Sequence, residues 1–344
     1  MIKKRIYVLI LCFFCGVSVI VIMYGLSVIK LSEKNGFIRL LPSHKVTGIN
    51  FIDIQWNSWY ISGIFNRSVY LGNNPVPGRV LKVDSSLVKS NEFNLLGFEK
   101  LQIHKGSTLA IDSPFVYIMD GIKPIVLKGK VFDFRLTEEI EVPYFTRAIP
   151  ISENSFMARS VYKDIGNVLL KHTAHELTSE TTKLLEKQVD GIFCTDGEMV
   201  KVSGSSKMIY VYYYRNQFLC ADSNLNLLYK GKTIDTVNHA QIKIAQIKST
   251  GETTMAAPPL YVNKRACANS KYLFVQSALR ANNETEYMIK DVSMIDVYAI
   301  SDGKYQFSFY LPDFRGFKVR DFKVYGQSLY ALYDHYLYKY QLNF

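Results

Sequence analysis

Residue types that carry chemistry are sparse in this chain and seldom fall at working spacings. The densest metal-type group is His172-Thr173-Ala174-His175-Glu176. A zinc-protease helix holds two histidines four residues apart with a glutamate between them, or the inverted H-x-x-E-H order, so that both ligands share one helical face. Here the order is H-x-x-H-E, no third ligand is evident, and on a strand the odd spacing sends the two imidazoles to opposite faces. The group reads as a solvated strand edge. Nucleophile and phosphate motifs are absent: there is no G-x-S-x-G, no P-loop spacing and no G-x-G-x-x-G, and the only C-x-x-C is Cys12-Phe13-Phe14-Cys15, inside an apolar run.

Serine is the residue that recurs. Six times a short polar turn containing a serine runs into an aromatic-rich apolar stretch: Asn66-Arg67-Ser68-Val69-Tyr70, Asp112-Ser113-Pro114-Phe115-Val116-Tyr117, Asn154-Ser155-Phe156, Ser205-Ser206-Lys207-Met208-Ile209-Tyr210, Asn269-Ser270-Lys271-Tyr272-Leu273-Phe274 and Gln327-Ser328-Leu329-Tyr330. Covalent catalysis needs one activated serine beside a base. Six copies instead suit a hydroxyl that steadies a turn by bonding nearby backbone. Their recurrence at intervals of tens of residues is the mark of a stacked or radial β architecture.

The elements that must position these turns follow from composition. With 344 residues, 48% apolar content, 24 Tyr and 21 Phe, the chain can bury a large core and favours strands. Ile6 to Ile29 is free of charge and follows Lys3-Lys4-Arg5. Such a run, ~36 Å long as a helix, exceeds the ~30 Å of bilayer hydrocarbon. A cleaved signal fits less well, because the run is long and no small-residue site precedes Lys30; a lipoprotein signal is opposed by the bulky Leu11 before Cys12. The expectation is a cytoplasmic stub at 1–5, a single-pass anchor at 6–29, a linker at 30–44 and an extracytoplasmic domain at 45–344, facing the periplasm or cell surface by the positive-inside bias.

The net charge is +11, but residues 1–40 hold six Lys/Arg and one acid, leaving 35 bases against 29 acids beyond them. Scattered bases of that small excess exclude a nucleic-acid stripe. Cys194, Cys220 and Cys267 are odd in number for a disulfide framework; they fit buried apolar thiols, with one pair plus a free thiol as the alternative.

Short alternating runs separated by Gly, Pro, Asn and Asp read as hairpins. In the first unit, Ile61 to Phe65, Ser68 to Leu71, Arg79 to Val83 and Leu87 to Leu96 give four strands. Four further units begin at Phe115, Phe156, Ile209 and Tyr272, the fifth carrying the longest hairpin loop, around Ala281 to Lys290. The sixth has three strands, Phe317 to Val324, Leu329 to Tyr333 and Tyr336 to Leu342, and then the chain stops. Lys45 to Ile54 is the natural donor of its missing outer strand, closing the ring and protecting its edges. Two β-sandwiches are the competing arrangement, with Lys248 to Thr254 as their linker; that stretch instead sits inside the repeat rhythm and reads as a loop between the fourth and fifth blades. Glu180 to Gln188 suits two helical turns or a strand equally.

These units, with repeats such as Ser68-Val69-Tyr70 and Ser328-Leu329-Tyr330, resemble the six-bladed β-propellers of the TolB-like and NHL-like group, especially membrane-anchored envelope proteins, over residues 45–344. The resemblance implies an all-β, six-bladed propeller closed by N- and C-terminal strands behind one transmembrane helix. It carries no catalytic signature, and group members include binding scaffolds as well as lyases and hydrolases. It further implies that ligands meet the face built by linkers from one blade's outer strand to the next blade's inner strand. Those linkers include Trp56-Asn57-Ser58-Trp59, Gly97-Phe98-Glu99-Lys100, Pro143-Tyr144-Phe145-Thr146-Arg147 and Pro312-Asp313-Phe314-Arg315-Gly316. Aromatic and arginine side chains suit a binding patch. The expected ligand face is therefore Trp59, Tyr144, Phe145 and Phe314 for apolar contact with Arg147 and Arg315 for carboxylates or carbonyls, and the partner a protein, peptide or glycan. No cofactor, metal or catalytic residue is assigned. The alternative is a propeller hydrolase or lyase whose funnel gathers acids such as Asp112, Glu153 and Asp196, with or without a metal.

Overall fold

The computed structural model describes residues 2–31, 35–98, 101–163, 165–174, 176–181, 184–249 and 252–344. One apolar helix, α1 (Ile2–Leu31), is long and apolar enough to cross a membrane. After it come β1 (Val46–Asp53) and six four-stranded antiparallel sheets. Blade 1 holds β2 (Trp59–Phe65), β3 (Ser68–Asn73), β4 (Arg79–Asp84) and β5 (Ser90–Asn94), and blade 2 holds β6 (Thr108–Asp112), β7 (Phe115–Asp120), β8 (Ile125–Lys130) and β9 (Arg135–Glu141). Blade 3 is β10 (Arg147–Ser152), β11 (Ser155–Tyr162), β12 (Gly166–Thr173) and β13 (Glu176–Thr181); blade 4 is β14 (Gly197–Lys201), β15 (Met208–Tyr212), β16 (Gln217–Ala221) and β17 (Leu227–Lys232). A separate hairpin, β18 (Ile244–Gln246) and β19 (Thr253–Met255), projects before blade 5. Blade 5 is β20 (Asn263–Ala268), β21 (Tyr272–Ser277), β22 (Val292–Ala299) and β23 (Tyr305–Pro312), with the short α2 (Glu286–Ile289) in its long hairpin loop. Blade 6 is β24 (Asp321–Tyr325), β25 (Ser328–Tyr333) and β26 (Tyr336–Leu342), completed on its outer edge by β1.

Terminal closure is therefore direct. Strand β1 runs antiparallel to β26 from Val46↔Leu342 to Asp53↔Tyr336, with a bulge between Gly48 and Asn50. A Cβ at Gly48 would sit 2.6 Å from the Tyr338 hydroxyl, so glycine there leaves room for the Tyr338 ring beside the bulge.

Apolar packing between blades holds the ring. Each of the six blade boundaries has its own buried cluster: Val69 and Leu71 with Leu332 and Leu337 join blades 1 and 6, Val80 with Val116 and Ile118 joins 1 and 2, and Tyr117 with Phe156 joins 2 and 3. Leu169 with Tyr210 and Leu219, Ile209 and Phe218 with Val275, and Phe274 and Ile295 with Phe322 continue the series through blades 3 to 6. No single sheet could bury both its faces alone; stacking each against two neighbours does so, at about 25 cal/mol per Å² of apolar surface removed from water.

All six serine turns join the innermost strand of a blade to the second, so they share one end of the ring. Their hydroxyls do not share one task. Ser205 Oγ accepts from Lys207 N at 3.2 Å, Ser155 Oγ lies 3.4 Å from Thr173 Oγ1, and in the fifth turn Asn269 Oδ1 rather than the serine accepts from Lys271 N and Tyr272 N. Cys194, Cys220 and Cys267 are free and buried; the Cys194 thiol donates to Asp190 O at 2.7 Å and accepts from Gln188 N at 3.3 Å. Of the stretch 248–254, Thr253 and Thr254 are strand, in β19, while 248, 249 and 252 belong to the connection from β18, and 250 and 251 lie outside the described residues. Of Glu180 to Gln188, Glu180 and Thr181 are strand, and 182–183 lie outside the described residues.

Residues 35–41, expected as linker, are strapped along blade 5. Phe37 O accepts from Asn282 N at 2.7 Å, Asn283 bonds both the N–H and the C=O of Arg39, and Leu40 O accepts from Ser308 N at 2.8 Å. The Arg39 guanidinium is fully buried and binds Asp296 through Nε (2.8 Å) and Nη2 (3.2 Å) and Glu284 through Nη1 (2.5 Å). Burial works against its charge, but the two carboxylates outweigh that and raise its pKa above the ordinary arginine value.

Candidate functional site

The inner strands line a central channel, and its two mouths differ in chemistry. At the serine-turn end a cavity of about 390 Å³ is lined by Ile64, Phe65, Ile111, Val200, Val324 and Tyr325, with the Lys201–Asp112 ion pair (2.6 Å) spanning two blades. At the end formed by the outer-to-inner linkers and the mid-blade hairpins, a second cavity of about 360 Å³ is lined by Arg147, Glu198, Arg265, Arg320, Asp321 and Lys323. The two share Ser62, Ala110, Ile149, Met199 and Lys323, so the waist between them is apolar apart from one hydroxyl and one ammonium.

The charged mouth is assembled from inner strands of four blades. Arg147 opens β10, Glu198 is second in β14, Arg265 third in β20, and Asp321 and Lys323 lie in β24 just after Arg320. Glu198 is its centre: Oε1 accepts from Arg147 Nη1 at 2.9 Å, and Oε2 accepts from the Tyr213 hydroxyl at 2.7 Å and Arg265 Nη1 at 3.4 Å. Burial opposes the charge of Glu198, yet Arg147, Lys323, Arg265 and the Tyr213 hydroxyl together hold its carboxyl below the usual range. Burial, then the nearby Glu198 carboxylate, pushes the Tyr213 phenol well above its ordinary value, so it stays a donor.

The remaining charges fix the frame. Arg265 Nε donates to Arg320 O at 3.2 Å, Arg320 Nε donates to Asp334 O at 3.0 Å, and Asp321 Oδ2 accepts from Ile61 N at 3.1 Å, tying blade 6 to blade 1. Burial lowers the Arg320 pKa despite Asp321 and Asp334, and its buried Nη2 has no hydrogen-bond partner. Glu198 is deeply enclosed, its side chain 11% exposed, whereas those of Arg147 and Arg265 are 40% and 41% exposed. The arrangement presents fixed, partly solvated cations over a buried counter-charge, which suits anion binding. It holds no nucleophile–base pair. Among the described residues no group of three or more His, Cys, Asp or Glu side chains is placed to hold a metal.

The residues expected at the ligand face separate into three situations. Arg147 lies in the charged mouth, and Tyr144 is exposed in the linker just before it. Trp59 and Phe145 do not offer a surface. Trp59 is 0% exposed, because it opens inner strand β2 and packs with Ile61, Leu71 and Leu81, its indole N–H donating to Ile54 O at 3.2 Å. Phe145 is wedged between blades 2 and 3 against Tyr117, Met119 and Phe156, so close to the β7–β8 turn that a Cβ at Gly121 would sit 1.9 Å from its carbonyl oxygen. The exposed tryptophan of that linker is Trp56, 58% accessible. Phe314 and Arg315 lie over the flank of blade 6: the Phe314 ring is 4.7 Å from Phe51 and 5.0 Å from Tyr338, and Arg315 Nη1 donates to the Tyr336 hydroxyl at 2.8 Å. They cover the seam where the two chain ends meet.

Sequence reasoning missed Glu198, Arg265, Arg320, Lys323 and Tyr213. The signal was a charge on the strand leading into the serine turns of blades 4 to 6, Glu198 in β14, Arg265 in β20 and Lys323 in β24 with Arg320 just before it; Tyr213, which follows β15, carried none. The histidine group fares differently from its expected solvated edge: His172 is buried in β12, His175 lies outside the described residues, and Glu176 opens β13.

No protein-family model matches this chain, and no curated protein matches it. Solved structures do. A protein of Bacteroides fragilis designated as exported superimposes with a TM-score of 0.53 at 10% identity, covering 90% of this chain and 98% of that one. A member of the DUF4221 family from Bacteroides vulgatus gives 0.52 at 10% identity over 88% of this chain and 99% of its own. At such identity the likeness is one of fold, and it closes the architectural question: the chain is an all-β, six-bladed propeller behind one apolar N-terminal helix.

Proposed function

We propose that this protein is a membrane-anchored, extracytoplasmic binding module that engages its partner through the linker end of the propeller. One observation carries the reading: the inner strands β10, β20 and β24 converge Arg147, Arg265 and Lys323, with Arg320 just before β24, on a concave mouth whose surrounding linkers expose Trp56, Tyr144 and Tyr261. Rigid aromatic area beside arginine is the make-up of interface anchors. The designation of one structural neighbour as exported and the apolar run that follows Lys3-Lys4-Arg5 in α1 support the extracytoplasmic side. The TolB-like and NHL-like character belongs to this reading as well, through the repeated serine–aromatic turns. The test is quantitative capture of membrane partners by the full-length chain in mild detergent. Trp56→Ala, Tyr144→Ala and Arg147→Ala should each weaken capture, whereas Phe132→Ala, an exposed aromatic in a turn at the other end, should not. Equal capture by all four variants discards the linker face.

A further inference from the structure

We infer that the charged mouth is a binding site for a carboxylate group, with Arg147, Arg265 and Lys323 as its receptors and Glu198 as the internal carboxylate that pre-sets their geometry. The inference rests on the reading of the linker end as the binding face and gives that face a ligand chemistry.

Charge supplies the first argument: the cavity wall has four cations, Arg147, Arg265, Arg320 and Lys323, against two acids, Glu198 and Asp321. One of those acids is already committed, since Asp321 caps Ile61 N across the blade 6 to blade 1 boundary. The second argument is donor supply. A guanidinium has five N–H donors in a planar fork. Arg147 spends Nη1 on Glu198, and Arg265 spends Nη1 on Glu198 and Nε on Arg320 O. Among the described residues no hydrogen bond uses Nε or Nη2 of Arg147, or Nη2 of Arg265, and both side chains are about two-fifths exposed. Lys323 makes no hydrogen bond among them either, although its charge acts on Glu198. Preorganisation is the third argument. Glu198 and the Tyr213 hydroxyl hold the two arginines in place before any ligand arrives, which removes much of the side-chain ordering cost that weakens exposed arginine contacts. A guanidinium fork can meet two oxygens of a carboxylate or of a phosphate, and here Arg147 and Arg265 already hold one carboxylate, that of Glu198, which shows the match of this frame to that group.

The test uses the full-length chain in detergent micelles at low ionic strength, titrated calorimetrically with citrate, with its trimethyl ester and with inorganic phosphate. Citrate should bind saturably and more weakly as salt is raised, the ester should not bind, and phosphate should bind at least tenfold more weakly than citrate. Lys323→Gln should reduce citrate affinity severalfold, and Arg147→Gln with Arg265→Gln should reduce it about a hundredfold. Because that double variant strands Glu198, the same pair combined with Glu198→Gln supplies a balanced version; it should fold and still fail to bind. Absence of citrate binding to the wild-type chain overturns the inference, as does phosphate binding as tightly as citrate, or full binding by the balanced triple variant. If citrate fails while Trp56→Ala and Tyr144→Ala still impair partner capture, only the carboxylate site is lost. If citrate binds as expected and those two variants capture normally, the site stands and the aromatic face falls.

Discussion

The strap on blade 5 and the mouth of the channel each contain a three-charge knot, built with opposite signs. In the strap one cation, Arg39, is shared by two acids, Asp296 and Glu284; in the mouth one acid, Glu198, is shared by two cations, Arg147 and Arg265. Their burial differs sharply. Arg39 and Glu284 have no exposed side-chain surface, whereas both mouth arginines keep about two-fifths of theirs. A fully buried knot has spent its hydrogen-bonding capacity on itself, so it acts on stability and position; breaking it strands an unsolvated charge. A knot whose majority charges reach water contributes little to stability and retains donors for a visitor. The same chemistry becomes a fastening in one place and a receptor in the other, and solvent access makes the difference.

Four perturbations test that contrast, in descending order of effect. Deleting residues 46–53 removes the strand that closes blade 6, and should abolish cooperative melting, and with it both knots, by circular dichroism. A stable, cooperatively melting product would mean that neither knot depends on ring closure. Arg39→Met leaves Glu284 and Asp296 facing each other in a dry site and should cost about 3–5 kcal/mol in chemical denaturation. Should that cost match the cost of Arg147→Ala, burial is not the discriminating variable. Glu198→Gln should cost about 1–3 kcal/mol at neutral pH, the loss of charge-assisted bonds from Arg147, Arg265 and Tyr213.

That third variant also has a pH signature. The folded-state pKa of Glu198 is depressed, so the unfolded chain binds its proton more readily and stability rises with pH across the acidic range. The contribution of the carboxylate is complete above the unfolded value of about 4.3 and fades as pH falls through the lower folded value. Wild type and Glu198→Gln should therefore converge in stability on acidification; parallel curves would show that the charge on Glu198 is not what the arginines hold. Last, Arg147→Ala should change stability by less than about 1 kcal/mol while weakening partner capture, the separation expected of a half-exposed receptor.

Much of the ring was legible in the chain before folding. The serine–aromatic turns marked every blade because each blade repeats one hairpin, and the missing outer strand of the last unit pointed to Lys45–Ile54, which pairs with β26. The face was only half legible. In Trp56-Asn57-Ser58-Trp59 either tryptophan fits a linker, and the one chosen for the surface, Trp59, is the one that β2 draws into the core. Phe145 followed the same course, because an aromatic in a short linker between tightly packed blades has an apolar slot on either side. The inner strands of blades 2 to 5 escaped notice; in blades 4 and 5 they face a partly hydrated channel, so charges such as Glu198 and Arg265 break the alternation by which strands are recognised.

Taken alone, the order of residues determined the strand-rich class, the sixfold repeat, the apolar N-terminal helix and the closure of the last blade by the first strand, because these follow from periodicity and composition, which are local properties. Tertiary structure alone decided which charges meet. Arg147, Glu198, Arg265 and Lys323 are scattered over more than 170 residues of chain, and Arg39 lies more than 240 residues from its carboxylates. Coulomb and hydrogen-bond energies depend on separation in space and on access to water, and both were set only when six sheets packed around one axis.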